Sequence, residues 1–114
     1  TDAILGAACL GDIGEIFPNT SEENKNRSSI EMLQIAMAKV TQSGFSILNL
    51  DCIVFAQRPK LSPFKIKIRQ TIAKTLGLAI DQVGLKGKTG EGVDAVGTEN
   101  AIQAQCVALL ARKG

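Results

Sequence analysis

The segment from Phe45 to Gln57 constrains the fold of this 114-residue chain more than any other part of the sequence. It is rich in Ile, Leu, Val and Phe, and it is bounded by Gly44 and Pro59. β-Branched and aromatic residues between two chain breakers are typical of a strand, so the segment predicts a largely buried β-strand. Asn49 and Asp51 interrupt it, and it falls short of the ~20 apolar residues needed to cross a bilayer.

Two helical patterns precede this predicted strand. Apolar residues at helical spacing predict a first helix over Asp2–Leu10, with Gly11 as its stop. A second helix is predicted to begin after Ser28, where Glu31 completes a capping box, and to end before Gly44. The polar residues 19–29 between them are expected to form an exposed loop.

A third helix and a short strand follow the central segment. Ser62 and Pro63 are a good cap and first-turn pair for a helix that stops at Gly77. Val83–Lys86 predicts a short strand, whereas the periodicity of Ala101–Leu110 fits a helix and a strand equally well. The order helix, helix, strand, helix, strand, with the last element undecided, predicts a mixed α/β fold.

Composition excludes several classes of function. The chain contains no histidine, which rules out His-dependent triads, His metal ligands and His acid–base chemistry within these residues. It also contains no Trp or Tyr and only four Phe, too few aromatic residues for a base-stacking RNA platform. The odd set Cys9, Cys52 and Cys106 argues against a disulfide framework and for a reducing compartment, with all three expected as small core residues.

Charge is distributed unevenly along the chain. Residues 1–31 contain six acids against two bases, whereas residues 58–88 contain eight bases against one acid, Asp81. A basic segment of this kind suits a polyanion, either nucleic acid or a phosphorylated small molecule. A solvated helix face accounts for the same charges equally well.

Gly87-Lys88-Thr89 has the composition of a phosphate-binding loop. It is not a P-loop, because Gln82 stands where that motif requires glycine and more glycines follow where it requires a helix. Nevertheless, a Thr hydroxyl, lysine charges and accessible backbone N–H groups suit a phosphate, and Glu91 could hold a divalent cation against a diphosphate. A polar hairpin loop is the simpler alternative.

Two further segments are candidate ligand contacts. Arg58-Pro59-Lys60 forms a proline-fixed loop that could present backbone groups to a nucleobase, although an ordinary crossover loop also explains it. Asp12 beside Gly14 could bind sugar hydroxyls, with a helix-terminating turn as the alternative.

The opening block, TDAILGAACLGDIGEIFP from Thr1 to Pro18, resembles the 2-C-methyl-D-erythritol 2,4-cyclodiphosphate synthases, enzymes of the non-mevalonate isoprenoid pathway. The resemblance continues through Asn49–Asp51, Ala56–Lys60, Lys86–Glu91 and Ala104–Leu110. It therefore covers essentially the whole chain and makes the last segment a strand.

The resemblance implies a compact α/β fold of the α+β sandwich type, with a mixed sheet covered by helices and homotrimers whose active sites lie between subunits. It implies a phosphorus–oxygen lyase that acts on 4-diphosphocytidyl-2-C-methyl-D-erythritol 2-phosphate. The 2-phosphate of the substrate attacks the β-phosphorus, which forms the cyclic diphosphate and releases CMP. Because no protein nucleophile is required, positioning and charge neutralisation supply the catalysis.

The resemblance also assigns the site residues. Contacts to the substrate, chiefly its ribose, are expected from Asp12, Ile13 and Gly14. A flexible substrate loop is expected from Phe17, Pro18, Asn19, Thr20 and Ser21. The cytosine is expected to be enclosed by Ala56, Gln57, Arg58, Pro59, Lys60, Leu61 and Ser62, with Lys60 near the phosphates. Lys88 is expected to bind substrate, Thr89 to stabilise the transition state at the diphosphate, and Glu91 to bind the magnesium or manganese that bridges the phosphates.

Zinc in this family is held by an Asp and two His that precede the position of Thr1. The chain is therefore expected to be a single domain, the C-terminal three quarters of a synthase domain. Without the zinc ligands we expect it to be inactive alone and active as part of its parent. The resemblance implies no nucleic-acid or membrane partner and a location in the bacterial cytoplasm or the plastid stroma.

Two other hypotheses stand beside the enzyme. One is a catalytically inactive trimeric module that retains the pocket for CDP. The other is a nucleic-acid-binding domain built on residues 58–88, which is disfavoured because the chain lacks the aromatic residues and the recognition element of such domains.

Overall fold

The sheet has three strands, and β1 (Phe45–Phe55) lies at its centre. β2 (Val83–Lys88) pairs with β1 in parallel, and β3 (Gln103–Arg112) pairs with its other edge in antiparallel orientation. The computed structural model describes residues 1–18, 20, 27–58 and 60–113. The mixed sheet confirms the predicted α+β class, and β3 shows that the ambiguous last segment is a strand.

Helices pack against all three strands. They are α1 (Asp2–Ala7), α2 (Ile13–Ile16), α3 (Ser29–Gln42), α4 (Lys65–Leu76) and α5 (Asp94–Gly97), with 3-10 turns at Ser62–Phe64 and Ile80–Gln82. α1 contacts β3 and α3, α3 contacts β1, and α4 contacts α3 and β2. In the parts of the chain that the structure describes, no helix has both the length and the apolar character of a membrane span.

The hydrophobic core lies where α1, α3 and α4 meet the sheet. Its buried members are Ile4, Leu5, Ala8, Ala36, Val40, Ile47, Leu50 and Leu76. The predicted inner face of α3 is present, since Leu33 and Met37 pack against this core beside Val40. Ile30 of the same predicted face is 41% exposed, because it lies at the beginning of the helix, beyond the edge of the core.

β1 is buried on one side only, which corrects the prediction of a largely buried strand. Ile47 and Leu50 are buried, whereas Leu48 is 49% exposed and Asn49 is exposed. The register with β3 skips Leu48, so a β-bulge lies there and places Ile47 and Leu50 on the same face. The strand ends at Phe55, two residues before the predicted end at Gln57.

The N-terminal region differs from its prediction in two ways. α1 ends at Ala7 rather than Leu10, and Cys9 is exposed with a positive φ of 57°, so Cys9 is not a core residue. A helix-terminating turn was the alternative considered for Asp12 and Gly14, but Asp12 is the N-cap of α2, which begins at Ile13. The Asp12 Oδ1 atom accepts a hydrogen bond from the Glu15 N–H at 2.9 Å, which supports a helical turn there.

The predicted helix starts are placed correctly but are built differently. Ser28 precedes α3, yet its side chain makes no capping hydrogen bond, and Glu31 instead lies 3.8 Å from Arg27. Ser62 begins a 3-10 turn rather than capping α4 directly. Gly77 ends α4 in the left-handed conformation, as predicted.

Leu5→Ala is expected to lower the free energy of unfolding of the full-length protein by about 2–5 kcal/mol, because Leu5 is completely buried and its truncation leaves a cavity in the core. Urea denaturation measures this change. Ile66→Ala is the matched control on the outer face of α4, where the side chain is 56% exposed and a change within about 0.5 kcal/mol is expected. Equal losses in the two variants would place Leu5 outside the core.

Candidate functional site

A pocket of about 240 Å³ lies at the carboxyl ends of the parallel strands β1 and β2. Its described lining residues are Val54, Ala56, Gln57, Lys60, Leu61, Ser62, Lys65, Gly87, Lys88 and Thr89. The Ala56 N–H donates to the Lys88 carbonyl at 2.9 Å and holds the two strand ends together. In α/β proteins, the crevice outside the carboxyl ends of parallel strands is a common place for ligands to bind.

The pocket is cationic. Lys60, Lys65 and Lys88 line it, and no described lining residue is acidic. Within the described residues, none of these three lysines forms an ion pair. The first turn of α4 begins at Lys65 and contains no acid, although helix N-termini usually favour acids. The charge and the helix end both favour an anionic ligand.

Two other features shape the pocket wall. The Gln57 Oε1 atom is buried and has no hydrogen-bond partner among the described residues, so the pocket wall contains an unsatisfied acceptor. At Gly87 an added Cβ would lie 3.1 Å from the Leu61 side chain, so a larger residue would crowd the wall. Glycine at this position keeps the pocket open beside Leu61.

The loop after β2 places a hydroxyl and a carboxylate beside the pocket. Thr89 lines the pocket, and its Oγ1 accepts a hydrogen bond from the Glu91 N–H at 3.3 Å. Glu91 has a positive φ of 52°, is exposed, and forms no ion pair with any described residue. The loop thus presents an unpaired carboxylate next to the pocket threonine.

The same loop is closed by a compact backbone turn. The Asp94 Oδ1 atom accepts hydrogen bonds from the N–H groups of Val96 at 2.9 Å and Gly97 at 3.1 Å. The backbones of Gly90 and Gly97 are so close that a Cβ on either residue would overlap the other strand of the loop. These contacts hold the backbone of residues 90–97, a segment that includes Glu91 and directly follows Thr89.

Arg58 lies beside the pocket but not in its wall. Its side chain is 80% exposed, and its Nε atom lies 2.9 Å from the Glu99 Oε1 atom. This ion pair joins the loop after β1 to the segment before β3.

The structure brings together Ala56, Gln57, Lys60, Leu61 and Ser62 with Lys88 and Thr89. Pro59 lies outside the described residues.

The N-terminal candidates lie apart from this pocket. Asp12, Ile13 and Gly14 are absent from its lining, and the Ile13 N–H donates to the Asp2 Oδ1 at 2.7 Å. Phe17 is buried, and the Arg27 guanidinium lies 5.4 Å from its ring centre. Pro18 and Thr20 are exposed. Asn19 and Ser21 lie outside the described residues.

Sequence reasoning missed Lys65 as a pocket residue. A signal was available, because Lys65 lies two residues after Pro63, in the first turn of the predicted helix, where acids are usually preferred. Val54 and Gly87 also line the pocket unpredicted, and their places follow only from the pairing of β1 with β2.

The described residues differ in how well they fit two metals. Zinc does not fit, because no group of three or more Cys, Asp or Glu side chains converges in the described ranges and the chain contains no histidine. Magnesium fits better, since it is commonly held by one or two carboxylates together with substrate phosphates. Glu91 supplies one such carboxylate, which forms no ion pair with a described residue and lies two positions after the pocket residue Thr89.

The fold and the pocket define an α+β protein with a cationic crevice at the edge of a mixed sheet. A model of the YgbB family matches residues 1–111. The chain therefore belongs to the YgbB family.

Sequence relatives agree with this assignment. The chain is 44% identical over 113 residues to the 2-C-methyl-D-erythritol 2,4-cyclodiphosphate synthase of Rhodopirellula baltica, covering 99% of this chain and 68% of the relative. It is 45% identical over 109 residues to the synthase of Enterococcus faecalis, covering 96% and 69%. The chain thus spans about two thirds of the length of these relatives.

Solved structures share the fold. The bifunctional IspDF of Campylobacter jejuni superposes with a TM-score of 0.91 at 40% identity, over 99% of this chain and 30% of that one. The CDP complex of IspF from Plasmodium falciparum superposes with a TM-score of 0.87 at 34% identity, over 99% of this chain and 67% of that one.

Proposed function

We propose that this chain provides the nucleotide pocket of a 2-C-methyl-D-erythritol 2,4-cyclodiphosphate synthase. The reaction converts 4-diphosphocytidyl-2-C-methyl-D-erythritol 2-phosphate into the cyclic 2,4-diphosphate and releases CMP. The observation that carries the proposal is the cationic pocket, whose three lysines form no ion pair with a described residue and whose described lining has no acid, in a chain whose relatives are named as this synthase. Those names do not favour the alternative of an inactive module.

The pocket offers complementary groups to a nucleotide diphosphate. Lys60 and Lys88 neutralise phosphate charge, and the backbone of the loop after β1 faces the base. The Thr89 hydroxyl donates a hydrogen bond to the diphosphate as charge develops on it. Because the attacking phosphate belongs to the substrate, these residues act by holding the two phosphates in line.

Glu91 is the proposed ligand for magnesium or manganese. Bound there, the metal neutralises the diphosphate and polarises its phosphorus–oxygen bonds. The hydrogen bond from the Glu91 N–H to the Thr89 Oγ1 keeps the two residues close together, which supports a role for both at the same phosphate groups. We assign no zinc ligand among the described residues of this chain, since they do not form a zinc site.

We also propose that the active unit is a homotrimer with sites between subunits. Asp12, Ile13 and Gly14 are absent from the described lining of the pocket, and this arrangement is expected if they complete the site of a neighbouring chain. Light scattering of the full-length protein tests the assembly. We also propose a location in a bacterial cytoplasm or a plastid stroma, which the odd number of widely spaced cysteines supports.

The direct test is CMP release from the cytidine diphosphate-linked substrate by the full-length protein in the presence of divalent metal. Rapid release that chelators abolish is the expected result. A folded, metal-loaded protein that binds CDP but releases no CMP would support the binding module instead. Binding that falls steeply with salt, and that nucleic acid competes for, would point to the nucleic-acid hypothesis.

Thr89→Ala is expected to lower kcat by about 10²–10³-fold while weakening CDP binding much less, because the lost hydrogen bond strengthens only as charge develops. Steady-state kinetics and calorimetry with CDP measure the two effects. Thr71→Ala is the control, since Thr71 lies on the exposed surface of α4, outside the described lining of the pocket, and its hydroxyl donates to the Lys67 carbonyl at 2.9 Å. Equal losses of kcat and CDP affinity in Thr89→Ala would make Thr89 a binding residue only.

A further inference from the structure

Two of the three cysteines face each other across the sheet. Cys52 of β1 and Cys106 of β3 are direct partners in the antiparallel register. Their Sγ atoms lie 3.3 Å apart, and both thiols are free. The pair is 54 residues apart in sequence, so only the register of the sheet brings it together.

The backbone geometry at this pair suits a disulfide. Residues directly opposite in an antiparallel sheet have Cα atoms about 4.5–5.5 Å apart. Disulfides span Cα separations of about 4.4–6.8 Å, with an S–S bond of about 2.05 Å. Side-chain rotation that brings the sulfurs about 1.3 Å closer therefore suffices, with no change in strand pairing.

We propose that Cys52 and Cys106 form a reversible redox-modification site, oxidised to a cross-strand disulfide by thiol–disulfide exchange with a low-molecular-weight disulfide. This inference is independent of the proposed synthase activity, because it concerns residues outside the pocket at the carboxyl ends of β1 and β2.

The hydrogen bond between the two thiols makes them electronically unequal. The Cys52 S–H donates to the Cys106 sulfur, and this hydrogen bond lowers the pKa of Cys106 to about 7, although partial burial opposes the shift. The same contact, together with burial, raises the pKa of Cys52. Cys106 is therefore the nucleophile, because the thiolate is the attacking species.

An oxidant can reach the pair from one side. Both cysteines line a groove of about 740 Å³ whose wall includes Ile68 and Ile72 of α4. Cys9, by contrast, is exposed and has no described thiol partner. The groove gives the small disulfide a path to Cys106, and Cys9 supplies an internal reference thiol.

The exchange proceeds in two balanced steps. The Cys106 thiolate attacks one sulfur of the small disulfide, forms a mixed disulfide and releases the other half as a thiolate. Cys52 then loses its proton and attacks the Cys106 sulfur, which expels the second thiolate. Two protein thiols are oxidised, one small disulfide is reduced to two thiols, and each leaving thiolate takes up a proton according to the pH.

The test uses the full-length protein with oxidised glutathione, followed by peptide mapping. The expected product is a cross-link between the peptides that contain Cys52 and Cys106, with loss of two hydrogen atoms and with full reversal by dithiothreitol. Its rate of formation rises with pH through about 7, as the Cys106 thiolate becomes populated. Because the disulfide closes a long loop, Tm is expected to rise on the order of 10 °C on oxidation.

Matched serine variants separate the pair from the reference thiol. Cys9→Ser is expected to form the cross-link unchanged. Cys52→Ser and Cys106→Ser are each expected to form no cross-link and to stop at a mixed disulfide with glutathione on the remaining cysteine of the pair. Two thiols that stay reduced under these conditions, or a wild-type mixed disulfide that never resolves, would overturn the proposal whether or not the protein releases CMP.

Discussion

Glu91→Gln is expected to lower kcat on the order of 100-fold in the full-length protein and to remove the dependence of turnover on magnesium. Glutamine keeps the shape of the side chain but loses the charge that holds the cation. The carboxylate has no ion-pair partner among the described residues, so its removal disturbs no visible structural contact. Loss of metal neutralisation at the diphosphate costs roughly 3 kcal/mol of transition-state stabilisation.

The measurement is kcat as a function of magnesium concentration in the wild-type protein and in Glu91→Gln. Glu31→Gln is the matched control, since it removes the same charge from the exposed surface of α3 and is expected to leave the magnesium dependence unchanged. CDP binding without metal is expected to remain close to wild type in both variants. A magnesium dependence that survives in Glu91→Gln would contradict the role given to Glu91.

Gly97→Ala is expected to lower kcat about 100-fold through displacement of the loop that supports Thr89 and Glu91. An added Cβ at this position would lie 2.7 Å from the Gly92 carbonyl carbon and 2.8 Å from the Gly90 carbonyl oxygen. Both contacts are with backbone, so the loop itself must move to relieve them. A displacement of about 1 Å at positioned groups costs on the order of 10²-fold in rate.

Gly6→Ala is the control, because an added Cβ on α1 meets no atom within 4 Å. Its kcat is expected to match wild type, and alanine slightly favours the helix. Circular dichroism and thermal melting show whether Gly97→Ala keeps the sheet and the core, since residues 90–97 lie outside the main core cluster. Full activity in a folded Gly97→Ala protein would show that the loop does not position the catalytic groups.

Most helices and strands were predicted correctly because the sequence signals that specify them lie within a few neighbouring residues. The hydrophobic spacing of α3, the glycine that ends α4 and the apolar segment of β1 each act over a few residues. Burial of β1 was overestimated because the composition of a strand does not show how many of its faces are covered. A turn was considered at Asp12 because aspartate is common both in turns and at the N-caps of helices, and the helix that Asp12 caps has only four residues.

In the candidate site, residues that are contiguous in sequence were predicted, whereas residues brought together by the fold were missed. The contiguous segment from Ala56 to Ser62 was found, because its residues are neighbours in sequence as well as in the pocket. Lys65 was missed because its place depends on how α4 begins. The Cys52–Cys106 pair was missed because sheet register, which no short segment specifies, brings the two thiols into contact.

The bulge at Leu48 divides β1 into two halves that differ in how well they tolerate the deletion of a residue. Beyond the bulge, a shift of one residue would turn Cys52 and Val54 to the opposite face and remove them from their partners. At the bulge, Leu48 has no partner in β3, so deletion of one residue there would restore regular pairing and leave Ile47 and Leu50 on the same face. Single-residue deletions among descendants of this protein are therefore expected between Gly44 and Leu50 and not between Leu50 and Gln57.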